Sequence, residues 1–164
     1  MSIVLARIDN RLLHGIIVTQ WAPQSGSNRV MVIDDETANN SISKATMKMA
    51  RPAGNAISII TEEKALTNFK NGKYDAEKLL VLAKEPQTFL DLVKIGVPIK
   101  KLNIGGTTAR DNGIEISKRA FADSHEITVY ESLIDKGVKL FSQYVPADKE
   151  IEVTKEFLES KANS

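Results

Sequence analysis

Short, almost unbroken apolar runs alternate along the chain with longer stretches in which apolar positions recur every three or four residues. Residues 3–6 (IVLA), 29–33 (RVMVI), 56–60 (AISII), 79–83 (LLVLA) and, more weakly, 101–104 (KLNI) read as five strands. Runs this short with no polar alternation suit a sheet covered on both faces. Between them lie helix-compatible stretches. The first covers 15–24, with Gly26 as its stop, and the second 37–49, ended by Arg51-Pro52. A third covers 62–70 and ends at Asn71-Gly72. A fourth opens at Glu85-Pro86, where proline in the first turn is tolerated, and closes at Gly96. Asp123 with Glu126 three residues on is a capping-box start for a fifth, running to Lys136 before Gly137. Residues 138–145 read as a further strand, cut by Pro146. Residues 113–117 read as an extra strand, hairpinned with the 101–104 region or its loop. The charged stretch 148–164 suits a peripheral strand or a frayed tail.

This β-α-β-α rhythm predicts an α/β fold, an open, mostly parallel twisted sheet with helices on both faces. The length of 164 residues suits one domain spanning 1–164, with no internal repeat or linker. In such sheets ligands bind beyond the carboxyl ends of the strands. Three polar clusters fall there: residues 9–15 after the first strand, Asp34-Asp35-Glu36 after the second, and Gly105-Gly106-Thr107-Thr108 after the fifth.

Composition narrows the chemistry. Net charge is +1 from 22 basic and 21 acidic residues, which argues against broad attraction to nucleic acid or anionic lipid. The chain has no cysteine, so disulfides, thiolate nucleophiles and cysteine-based zinc sites are excluded. The opening apolar stretch is only four residues long before Arg7, too short for a signal peptide or a membrane span. Work at a membrane would therefore go through partners.

The segment Arg7-Ile8-Asp9-Asn10-Arg11-Leu12-Leu13-His14-Gly15 places one imidazole between a strand and a helix. A helix N-terminus offers free N–H groups and a positive dipole end, which suits an anion. An unprotonated imidazole is a good nucleophile, and phosphoryl transfer asks a protein mainly for positioning and charge stabilisation. Arg11 can offer a bidentate guanidinium, and Gly15 lets the backbone approach a phosphoryl group. A helix-capping or surface histidine would satisfy the same pattern. Arg7 is a second candidate cation for the phosphoryl group, or a salt-bridge partner at the sheet end. Asp9 either accepts a hydrogen bond from the histidine or caps the loop.

The other clusters carry less. Asp34 to Glu36 suit an N-cap and first turn better than a magnesium site, because no acceptor aspartate follows the third strand. The pair Gly105-Gly106 with Thr107 could cradle an anion or sugar on the rim shared with His14, or simply make a tight turn. No dinucleotide or Walker pattern occurs. His125 reads as solvent-exposed, and Trp21 as a core anchor near the site. Met47 and Met49, beside Lys44 and Lys48, read as part of a packed amphipathic helix.

The stretch from Ala6 to Gly15, with Trp21 following, resembles the active-site motif of IIB components of the bacterial phosphoenolpyruvate-dependent sugar phosphotransferase system, in the mannose/fructose/sorbose family. Val32-Ile33-Asp34-Asp35, Gly96-Val97-Pro98-Ile99-Lys100 with Leu102-Asn103-Ile104-Gly105-Gly106, and the segments Lys136-Gly137-Val138 and Val145-Pro146 extend the likeness over nearly the whole chain. The resemblance implies a largely parallel sheet with an antiparallel edge strand. It implies a phosphohistidine–sugar phosphotransferase that accepts a phosphoryl group from a IIA histidine and passes it to a sugar held by the IIC and IID membrane components. It places the phosphoryl group on His14, at Nδ1, with Arg11 beside it, and it calls for neither metal nor cofactor. It also implies a cytoplasmic chain attached peripherally to the transporter. A homo-oligomer is compatible with the sequence. Two positions depart from the pattern: Ile16-Ile17 stand where many relatives have glutamine and a small apolar residue, and Asn10 replaces a frequent aspartate. The rival from another class is a non-catalytic, doubly wound nucleotide- or metal-binding signalling module with His14 idle.

Overall fold

The computed structural model describes residues 1–164. Strand β1 (Ser2–Asp9) leads into helix α1 (15–25), followed by β2 (Arg29–Ile33), α2 (Asp35–Ala38), α3 (Ser41–Lys48), β3 (Ala56–Ile60) and α4 (Glu62–Lys70). Then come β4 (Lys78–Ala83), α5 (Pro86–Lys94), β5 (Lys101–Gly106), β6 (Ile114–Ser117) and β7 (Ala120–Ala122). The chain closes with α6 (Ser124–Asp135), β8 (Lys139–Ser142), β9 (Ile151–Val153) and α7 (Lys155–Ala162). Helix α1 enters at residues 15–16, passes through a π-helical turn over Ile17–Trp21 and ends in an α-helical turn over Ala22–Ser25.

Seven strands form one sheet in the order β3-β2-β4-β1-β5-β8-β9. The first six are parallel, and β9 pairs antiparallel with β8 at the edge. This is the α/β architecture expected from the sequence. Side chains alternate between the two faces. Met31 and Ile33 of β2, with Leu79 and Val81 of β4, point into the main core under α4, α5, α6 and α7. Val30 and Val32, with Leu80 and Leu82, point into a smaller core under α1. Both faces of these strands are apolar, which explains their unbroken hydrophobic runs. Strand β1 breaks the rule. Ala6 and Ile8 enter the main core, but Arg7 and Asp9 are carried on the opposite face, and both are buried.

Several elements differ from the sequence expectation. The helix expected over 37–49 is two helices, because Asn40 caps α3 with its side chain accepting from the Ser43 N–H, and Asn39 ends α2. Strand β5 continues through Gly105 and Gly106, so that pair belongs to the sheet. Residues 113–117 pair with β7 in a separate two-stranded hairpin and not with 101–104. The strand expected over 138–145 stops at Ser142, because the next two carbonyls turn inward to a buried guanidinium. The terminal stretch is no frayed tail. It forms β9 and then α7, capped by Thr154 and anchored by buried Leu158.

At the start of α4, Glu62 is crowded by like charge. Burial, then the neighbouring Asp91, then Asp35 push its carboxyl up to about 7. One oxygen, Oε1, is buried without a partner. A group whose pKa is higher folded than unfolded contributes stability that is present at low pH and lost as pH rises through the folded value. Between its ordinary 4.5 and about 7 the folded chain therefore loses stability at this position. Glu62→Gln removes that loss, so the melting temperature of the variant relative to the parent rises between pH 5 and pH 8. A difference that stays flat across that range, measured by calorimetry, refutes the strained carboxyl.

Candidate active site

Strand β1 ends at the centre of the sheet, between β4 and β5, and its last residue meets Gly106 of β5 in register. The chain then makes a tight turn. Asn10 donates its N–H to the Gly106 carbonyl at 2.7 Å, and Leu12 donates to the Asp9 carbonyl at 3.1 Å. Leu12 takes a left-handed conformation with φ +58, costly for a side chain of this kind, at about 1–3 kcal/mol. Burial of its side chain offsets that cost. This turn delivers His14 to the start of α1, where its carbonyl accepts from the Ile17 and Val18 N–H groups, each at 3.0 Å. The Gly15 and Ile16 N–H groups have no acceptor within the chain.

His14 Nε2 lies 2.9 Å from Asp9 Oδ2. A carboxylate only accepts, so Nε2 carries a proton, and in the neutral ring Nδ1 keeps its lone pair. Nδ1 makes no hydrogen bond within the chain. The imidazole is more sheltered than a rim position suggests, with 7 % of its side-chain surface exposed. Asp9 is held in turn. Its Oδ2 also receives Arg7 Nε at 3.1 Å, and its Oδ1 receives the Arg11 backbone N–H at 2.9 Å. Arg7 spends its remaining ends on two carbonyls, Gln143 and Tyr144, both at 2.9 Å. Its guanidinium lies between the rings of Trp21 and Tyr144, 5.2 and 5.6 Å from their centroids. Burial pulls the Arg7 pKa below its ordinary value, and Asp9 opposes the fall. The group stays a cation.

Arg7 needs room, and Gly105 provides it. A β-carbon on Gly105 would stand 2.5 Å from Arg7 Nε. Gly106 likewise faces the Tyr144 ring and Asn10 Oδ1, at 3.2 and 3.4 Å from where its β-carbon would be. The glycine pair therefore makes space for an arginine and a tyrosine of the chain itself.

The structure brings Arg7, Asp9, Arg11, His14 and Gly15 together. Of these, Arg11 is exposed with its guanidinium unpaired, whereas Arg7 is fully buried and committed to internal acceptors. Thr107 is turned away, its hydroxyl bridging the Phe121 N–H and carbonyl. Asp34 caps α2 through the Thr37 N–H at 3.1 Å and pairs with Lys84 at 3.3 Å. Asp35 accepts from the Glu62 N–H, and Glu36 faces the same lysine at 3.5 Å. The acidic loop is thus used in capping and pairing. No group of three or more metal-ligating side chains is gathered anywhere in the chain.

Sequence reasoning missed Gln143 and Tyr144, because they act through backbone carbonyls that leave no side-chain signature. It read Gly105-Gly106 as a cradle for an anion or sugar, or a tight turn, and missed the arginine of the chain that Gly105 seats.

The PTS system sorbose subfamily IIB component family matches residues 3–164. The chain belongs to this family. It is 36% identical over 148 residues to the PTS system sorbose-specific EIIB component of Lacticaseibacillus casei, covering 90% of each chain. It is 34% identical to the N-acetylgalactosamine-specific phosphotransferase enzyme IIB component 2 of Escherichia coli, covering 94% of this chain and 98% of that one. Its fold is similar to the crystal structure of the IIBSor domain of the sorbose permease from Klebsiella pneumoniae, with a TM-score of 0.91, 30% identity and full coverage of both chains. As a IIB component the chain is a phosphotransferase of the sugar phosphotransferase system.

Proposed function

We propose that His14 carries the phosphoryl group, on Nδ1, and that the chain passes it from a IIA phosphocarrier domain to a sugar held by the IIC and IID membrane components. The observation that carries this reading is the division of labour on one imidazole. Asp9 takes Nε2–H, which leaves Nδ1 without a partner in the chain and, in the neutral ring, with its lone pair uncommitted.

In the first transfer that lone pair attacks phosphorus. The N–P bond to the IIA histidine breaks, and its electron pair returns to the donor ring. His14 then bears a phosphoryl group on one nitrogen and a proton on the other, so its ring gains positive charge. The Asp9 carboxylate faces that charge and stabilises it. Arg7 holds Asp9 in place from the interior, without touching the phosphoryl group. The Gly15 and Ile16 N–H groups, with exposed Arg11, stabilise charge on the phosphoryl oxygens. In the second transfer a sugar hydroxyl attacks the same phosphorus, the N–P bond breaks with its electron pair returning to Nδ1, and the hydroxyl proton passes to water.

Residues 1–164 act as one unit in this scheme. No helix is long and apolar enough to cross a membrane, which supports a cytoplasmic chain held at the transporter by its partners. Similar identity to sorbose- and N-acetylgalactosamine-specific relatives, 36% and 34%, fits a choice of sugar made in the membrane components.

The test is to label the protein from phosphoenolpyruvate through the general carrier proteins and a IIA domain of this family, then map the label. The expected label is stoichiometric, lost in acid, stable in base and confined to the peptide holding His14. Label on another residue, or label that survives acid, overturns the assignment.

A further inference from the structure

A second feature lies at the end of β8, where the Gln143 and Tyr144 carbonyls hold Arg7. The β6–β7 hairpin turn and the loop after β8 enclose a cleft of about 570 Å³, lined among others by Lys118, Arg119, Tyr144, Asp148 and Lys149. Lys118, Arg119 and Lys149 are exposed, and none of them forms an ion pair. The one carboxylate there, Asp148, bends its own loop by accepting the Val145 N–H at 3.3 Å. In a chain of net charge +1, three unpaired cations against one occupied carboxylate are a local excess of positive charge.

The cleft is built onto the transfer site. Arg119 lies over the Tyr144 ring at 4.2 Å, and the same ring meets Arg7 at 5.6 Å. The Arg119 carbonyl accepts the Thr107 N–H at 2.8 Å, which pins the hairpin to the end of β5. The neighbouring Gly106 carbonyl accepts the Asn10 N–H from the His14 turn. Gln143 closes the other wall, its side-chain amide donating to the Pro146 and Asp148 carbonyls at 3.1 and 2.9 Å. The cleft and the His14 turn are thus joined through Tyr144 and Arg7 and through the end of β5.

We propose that the Lys118–Arg119–Lys149 cleft receives an acidic segment of the phosphoryl donor, the IIA domain, and sets its docking on the rim. This rests on His14 as the acceptor and adds a surface that the chemistry does not itself require. Positive charge placed beside the acceptor, and not on it, speeds encounter with an acidic partner and fixes its register while leaving the chemical step alone. Arg119 is also pre-ordered by its stacking on Tyr144, so less freedom is lost when it pairs.

The experiment uses the full chain with a phosphorylated IIA domain of this family as donor. The double variant Lys118→Glu/Lys149→Glu is compared with Lys118→Gln/Lys149→Gln and the parent. Both positions are exposed and unpaired, so melting temperatures are expected to coincide. Rates of His14 labelling are measured against donor concentration at 0.05 and 0.3 M salt. The charge reversal is expected to raise KM at least tenfold at low salt with kcat within twofold. The neutral variant falls between, and the differences shrink at high salt. An unchanged KM in the reversed variant, while the parent labels normally, overturns the cleft and leaves His14 standing. A reversed variant that labels normally from IIA yet fails to pass phosphate to sugar in membranes also overturns it, and moves the cleft to the membrane partner. Absence of labelling in the parent instead strikes the proposed role of His14.

Discussion

His14→Ala removes the phosphoryl acceptor and abolishes acid-labile labelling from a phosphorylated IIA domain, while the fold survives. The substitution takes away a single hydrogen bond, from Nε2 to Asp9. Asp9 keeps its contacts with Arg7 Nε and the Arg11 N–H, so no charge is left unpaired. The expected loss of stability is about 1–3 kcal/mol, small beside the ~5–15 kcal/mol that typically holds a domain together. The far-ultraviolet spectrum should therefore match the parent, and the melting transition should stay cooperative at a somewhat lower temperature. Labelling has no such reserve, because the chain has no cysteine and only one other histidine. The other histidine, His125, lies in the first turn of α6, on a different element from the His14 turn. Stoichiometric labelling of a well-folded His14→Ala protein would falsify the assignment.

Asp9→Ala is expected to damage both stability and transfer. Asp9 is 1 % exposed and Arg7 is fully buried, so the variant leaves a cation in the interior without its carboxylate. Breaking a buried pair by deleting one partner costs about 3–5 kcal/mol. The two carbonyls that also hold Arg7 limit the damage, so the protein should fold with a melting temperature lowered by many degrees. Asp9→Asn separates the two effects. The amide keeps the shape and restores much of the stability, but it does not carry the charge that faces the imidazolium. It can also present a donor to Nε2, which favours the wrong tautomer. Transfer from IIA should fall by about 10- to 100-fold in kcat, the scale on which outer hydrogen-bond partners of ligating histidines act. Nitrogen chemical shifts of the His14 ring report the tautomer directly. An Asn variant with parental kcat and an unchanged ring spectrum would remove Asp9 from the mechanism.

The Arg7–Asp9–His14 chain also explains an oddity of the fold. Strand β1 occupies the middle of the sheet, where an apolar run is expected on both faces. It keeps that pattern on the main-core side with Ala6 and Ile8. On the other side it buries a charged pair, and neighbouring elements are shaped to admit it. β5 contributes Gly105, β8 ends early to turn two carbonyls inward, and α1 lays Trp21 along the guanidinium. The Trp21 Nε1 donates to the same Tyr144 carbonyl at 3.0 Å, so one backbone oxygen joins the arginine and the tryptophan. The arrangement rigidifies the floor on which Asp9 stands, and through Asp9 it fixes the imidazole.

What the sequence determined by itself was local. Apolar runs such as 29–33 and 79–83 announced strands covered on both faces, because burial on two sides leaves no room for polar alternation. Caps were readable for the same reason. Asp123 with Glu126 forms the capping box expected of it, since both partners lie within one turn. The string from Arg7 to Gly15 marked the turn and its imidazole, because the residues that make that turn are neighbours in the chain. Tertiary structure decided what those residues do to one another. That Arg7 points inward, that Gly105 exists to seat it, and that residues 143 and 144 hold it through their carbonyls are contacts across as many as 137 positions of sequence. Backbone acceptors are chemically alike at every residue, so no pattern of side chains could have singled them out. Which imidazole nitrogen stays free follows from where Asp9 stands, and that position was set by packing around a buried charge.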